Sequence, residues 1–143
     1  MSTGEENKAT IRRWVQEAWN SGDFSSVPTM YTKDYLYHDP AAPNIQPGPD
    51  GLVGMIQMFR AGMSDVHMTI EDMAAEGDIV AWRFNCTGTH TGILFGVPAT
   101  GTFGGSTGTL FTRFTPDGKW AEDWCNWDTL GMLQRIGLIP VQG

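Results

Sequence analysis

The chain of 143 residues predicts an α+β domain: three N-terminal helices packed on a curved antiparallel sheet, with a short helix at the C-terminus. Three observations carry this. Apolar residues recur at three- and four-residue spacing as far as Met63, the period of a helix with one buried face. From Val66 the period drops to two, that of a strand. Short turns such as "EGD" (Glu76 to Asp78) and "PDGK" (Pro116 to Lys119) then separate the strand-like runs, which makes neighbouring strands antiparallel.

Each element has its own signal. Thr3 and Glu6 form a capping-box pattern ahead of Ile11, Trp14, Val15, Ala18 and Trp19, an amphipathic first helix. "NSGD" (Asn20 to Asp23) ends it, with Gly22 free to take the left-handed cap conformation. Phe24, Val27, Met30 and Tyr31 predict a short second helix, and Pro28 must lie in its first turn. "DYLYHDP" (Asp34 to Pro40) reads as a short extended piece closed by proline. After a Pro- and Ala-rich loop, Pro49 opens a third helix with Leu52, Met55, Ile56, Phe59 and Met63 on its apolar face. Val66, Met68 and Ile70 then alternate with His67, Thr69 and Glu71. A second strand spans 79–91, with Trp82, Phe84 and Cys86 on one face. A long strand near 102–115 and a last one near 120–127 follow. Asp128 is placed to cap a terminal helix carrying Leu130, Leu133 and Ile136.

Bulk properties narrow the function. One domain over residues 1–143 is long enough to bury a core. Nine basic against sixteen acidic residues give a net charge of −7, which disfavours nucleic acid and anionic membrane surfaces. No run approaches the length of a membrane span, and the opening "MSTGEENKAT" carries no apolar stretch of the signal-peptide kind. Cys86 and Cys125 form neither a disulfide framework nor a metal spacing, and a cytoplasmic location is the expectation. His38, His67 and His90 are far apart, so no metal site is expected. Walker, dinucleotide and nucleophile-elbow motifs are absent.

The motifs "VQEAWNSGD", "YHDP", "GTHTG…FGVPATG" and "DGKWAEDWCNWDTLGMLQRIG", in this order, cover almost the whole chain. In them the sequence resembles the SnoaL-like polyketide cyclases and predicted ester cyclases, within the NTF2-like cone fold. The resemblance implies a cone-shaped cavity, a hydrophobic polyketide-like substrate, and ring closure by a carboxylate base without metal or organic cofactor. It also implies a homodimer or homotetramer built by pairing sheets. An ungapped match of the tail puts the family's acid at Cys125, and its assisting histidine near Leu110 or Phe111. Cofactor-independent aldol-type cyclisation is therefore the leading expectation. An isomerase or hydrolase on the same fold, or a non-catalytic binding domain, stands beside it.

The tail also suggests a carboxylate on other grounds. Residues two apart on a strand share a face, so a pocket-facing Cys125 brings Asp123 and Trp127 with it and turns Glu122 and Trp124 outward. Asp123 in an apolar pocket would be a stronger base than in water; the alternative is a carboxylate paired with an arginine or solvated at the cavity mouth. His38 and His90 are the candidate hydrogen-bond donors to a substrate oxygen, or else they fix a turn and a strand end. Trp14, Phe59, Met63, Trp82, Cys125 and Trp127 are expected to line the cavity, although tryptophans at helical or strand spacing also serve as plain core. Trp82 and Trp124 should both be mostly buried, the second against the core or a partner subunit.

Overall fold

Thr3 starts the first helix as a capping box should. Its Oγ1 accepts from the Glu6 N–H at 3.1 Å, and the Glu6 carboxylate takes the Thr3 N–H at 3.3 Å. The computed structural model describes residues 2–141. Helix α1 (Gly4–Trp14) runs directly into a π-helical turn, Val15–Asn20, where the sequence predicts one continuous α-helix. That wider turn is tied down from outside. Arg60 donates to the Trp19 carbonyl at 2.5 Å, and the Asn20 amide brackets the backbone of Met68, receiving its N–H at 2.7 Å and donating to its carbonyl at 3.0 Å. Gly22 ends the segment at φ +68°, with the Arg60 guanidinium where a Cβ would sit.

Helix α2 (Val27–Met30) is one turn long, with Pro28 in its first turn. Strand β1 (Tyr31–His38) then precedes α3 (Pro49–Gly62). The order is therefore not helices first and strands after. Strands β2 (His67–Glu76), β3 (Ile79–Thr89), β4 (Phe103–Phe114) and β5 (Trp120–Trp127) follow, and α4 (Thr129–Arg135) ends the fold. The sheet order is β1-β5-β4-β3-β2. All neighbours are antiparallel except β1 and β5, which run parallel. A wholly antiparallel sheet was expected; the long return through α3 and three strands is what allows the parallel pair.

One face of the sheet packs on the helices. Ile11, Trp14, Leu52 and Ile56 meet Trp82, Leu110, Trp120 and Cys125 in a single buried cluster. The other face is open, and Trp124 lies on it, 40% exposed, beside Phe111 at 56%. Trp82 is buried as expected, but within this chain Trp124 is not; its ring stacks on His38 at 5.4 Å. Asp128 caps α4 by accepting the Gly131 N–H at 2.9 Å. The helix buries Met132 and Ile136, while Leu130 is 56% exposed, so the expected 130–133–136 face is rotated.

Candidate active site

Two spaces lie against α3 and share a wall. A small inner chamber of about 40 Å³ is walled by Trp19, Met63, Met68, Phe84, Cys86 and Met132. An open groove of about 500 Å³ lies between α3 and the loop after β1, lined by Ile45, Met55, Met58 and Phe95. Phe59 and Trp127 belong to both walls. Their rings meet edge to face at 5.9 Å, and Phe95 closes on Phe59 in the same way at 5.7 Å. Phe95 holds φ +51°, the only non-glycine residue at positive φ among the described residues. Backbone in that region is costly for a bulky side chain and clusters at functional sites.

Into the groove wall β1 delivers an acid that sequence reasoning passed over. Asp39 follows the last residue of β1 and is 7% exposed. Its Oδ2 accepts from the Tyr37 hydroxyl at 2.9 Å and from the Trp127 indole N–H at 3.0 Å; its Oδ1 accepts only from the Ala41 N–H, at 2.8 Å. A carboxylate oxygen has room for two such bonds, so Oδ1 keeps one acceptor position free, and Asp39 is among the residues that line the groove. No cation pairs with Asp39 among the described residues. Burial pushes the Tyr37 phenol well above its ordinary range, which keeps it a neutral donor. The signal is present in the sequence, since "YHDP" sets this acid next to the candidate His38.

Asp123 sits deeper and meets neither space. It is on the inward face of β5, as its parity predicts, and 1% exposed. Its carboxylate accepts from Tyr35 and Thr112 hydroxyls at 2.5 Å each and from the Trp120 indole at 2.7 Å. Thr112 in turn accepts from Trp82 Nε1 at 2.9 Å. Desolvation raises the Asp123 carboxyl to about 6 against the opposing pull of these three donors. It is a polar node in the core and lines neither space.

The other predicted residues divide the same way. Phe59, Met63 and Trp127 do line the interior spaces. Trp14 packs on Tyr31 and Trp120, and Trp82 is held by Thr112; both are core and line neither space. Cys125 is buried behind Tyr37, and burial pushes its thiol up to about 12, a protonated and unreactive state. His38 points to the outer face of the sheet, where Nε2 meets Glu122 at 2.6 Å, and lines neither space. His90 is fully buried at the end of β3, its Nδ1 3.0 Å from Thr100 Oγ1, and its backbone ties the loop through Thr102 and Gly101. It closes the strand and lines neither space. Among the described residues no three His, Cys, Asp or Glu side chains gather as a metal site, and no helix is long and apolar enough to cross a membrane.

Comparison with known proteins agrees with the fold. The family model for the SnoaL-like polyketide cyclases matches residues 9–136. The chain superimposes on AclR from Streptomyces galilaeus, described as a candidate hydroxylase, with a TM-score of 0.85 at 28% identity, covering 99% of this chain and 87% of that one. IdmH from Streptomyces antibioticus, a candidate polyketide cyclase, is 31% identical with a TM-score of 0.78, over 92% of this chain and 98% of that one. TsrD from Streptomyces laurentii shares the fold at 22% identity and a TM-score of 0.85, over 97% and 100% of the two chains. No curated protein matches.

Proposed function

Since the chain belongs to the SnoaL-like polyketide cyclase family, we propose that it is a cofactor-independent enzyme for a hydrophobic, oxygenated, polyketide-like small molecule held in the groove. Asp39 removes a proton from a carbon next to a carbonyl, the electron pair moves onto the carbonyl oxygen, and the resulting enolate attacks a second carbonyl of the same molecule. The proton returns from Asp39 to the new alkoxide, which leaves the ring closed and the atoms in balance. An oxyanion needs a neutral donor, and the Asn44 amide in the groove wall can supply it. The groove holds the chain folded, so much of the entropy cost of ring closure is met on binding. This moves the base from Asp123, and the donor from His38 and His90, to residues that face the groove.

The observation that carries the reading is one carboxylate with a free acceptor position in a groove whose other side chains, Asn44 apart, are apolar. AclR and IdmH, described with different reactions, support small-molecule chemistry in such a cone more than any one reaction. Deuterium exchange tests it without knowledge of the natural substrate. In D2O, heptane-2,4-dione should lose its central protons faster with the protein than in matched carboxylate buffer, and EDTA should not slow this. Binding of the dione with no acceleration would favour the second reading, a domain that only sequesters apolar ligands.

A cytoplasmic homodimer or homotetramer belongs to the same proposal. The open sheet face carries Leu36, Phe111 and Trp124, an apolar area a second copy would cover. Sedimentation should give at least a dimer at micromolar concentration, and a clean monomer there would remove this part.

A further inference from the structure

We propose that the inner chamber is a separate subsite for an apolar terminus of the ligand, and that Phe59 with Trp127 forms the partition through which that terminus passes. The inference rests on ligand binding in the groove and does not depend on Asp39 being a base. The chamber and the groove have two wall residues in common, Phe59 and Trp127. The one hydroxyl in its wall, Ser106, is turned to the Thr107 and Asp128 carbonyls and the rest is apolar or weakly polar, so the chamber holds water poorly and suits a short alkyl end or the edge of a ring. Three of its walls are methionines, Met63, Met68 and Met132, whose unbranched side chains adjust to different shapes.

The partition is placed to move. Phe59 meets Phe95 and Trp127 edge to face and Trp19 at a tilt of 47°, contacts that give direction without a covalent or ionic lock. Trp127 is the last residue of β5 and half-buried, and its indole N–H is bonded to Asp39. One side chain thus touches the acid at one edge and the chamber at the other. A ligand whose oxygenated part lies against Asp39 has its far end directed at Phe59. The length of that end, and not the chemistry at the carbonyl, is what the partition reads.

A series of 2-alkanones from hexanone to tetradecanone tests this, followed by the methionine methyl signals of the labelled protein. Each added carbon should tighten binding roughly four-fold while it is being buried, and then the gain should stop. Longer members should shift the methyl signals of Met63, Met68 and Met132, and shorter ones only those of Met55 and Met58. Phe59→Ala should move the stopping point to longer chains by two carbons or more. Cys86→Met, which fills the chamber from β3 and leaves the partition intact, should move it to shorter ones and silence the inner methionines. The surface change Leu130→Ala should leave it in place. An unchanged stopping point in Cys86→Met, or inner methionines that never respond in the wild type, would overturn the proposal while leaving the groove reading intact. Failure of every alkanone to bind would overturn both.

Discussion

Asp39→Asn is expected to lower the rate of proton exchange, and of turnover on any substrate found, by roughly two to four orders of magnitude, the range for loss of a positioned general base. The amide fills the same space but accepts no proton. Ligand affinity should change little, because the groove walls are untouched. Stability should fall modestly. Asp39 takes the Tyr37 and Trp127 donors on one oxygen and the Ala41 N–H on the other. An amide has only one oxygen, so in either orientation a donor loses its acceptor, at a cost of about 1–2 kcal/mol. Thermal unfolding read beside the kinetics separates the two effects. A variant as active as the wild type would move the base elsewhere.

The second large effect concerns Asp123 and lies in stability. Asp123→Leu leaves the Tyr35, Thr112 and Trp120 donors without an acceptor in the core. At roughly 1–3 kcal/mol for each orphaned donor, the loss should exceed about 3 kcal/mol, a large share of a small domain's stability. Asp123→Asn is the milder change and exposes a pH effect. The wild-type carboxyl is raised from 3.8 to about 6, so the folded state binds its proton more tightly than the unfolded chain. Its favourable contribution is fully present below about 3.8 and is lost as pH rises through about 6. The difference between those limits is about 3 kcal/mol. Asp65, lowered by bonds from Thr89, acts with the opposite sign and only below its ordinary value of 3.8. Denaturant unfolding of the wild type should therefore gain stability from pH 7 to pH 4 relative to Asp123→Asn. Parallel curves for the two proteins would show that Asp123 is not the strained carboxyl described above.

The two acids also show where reading the sequence stops. Strand alternation placed Asp123 and Cys125 inward and Glu122 and Trp124 outward, and β5 has the bounds 120–127 that were read from its turns. Alternation tells the face of a sheet but not the height along it. The parallel register of β1 on β5, Tyr37 against Asp123 and His38 against Trp124, puts Asp123 below the groove and carries β1 on to Asp39 at its rim. A pairing between segments eighty-odd residues apart has no local signature. From Leu36 to His38 the register on β5 is regular, but Tyr35, Leu36 and Tyr37 are all large and apolar, so "DYLYHDP" has no polar–apolar alternation to tell which face His38 takes. The capping boxes, turns and core tryptophans were legible because each depends on residues a few positions apart.

The claim that chemistry belongs to the groove and not to the core acid is tested most directly by a crystal structure with heptane-2,4-dione bound. The account predicts the dione between Met55, Phe95 and Trp127, with its central carbon roughly 3–3.5 Å from Asp39 Oδ1, the separation of a reactive pose. A dione bound with that carbon against Asp123, or lodged on the outer sheet face beside His38 and Trp124, would contradict it.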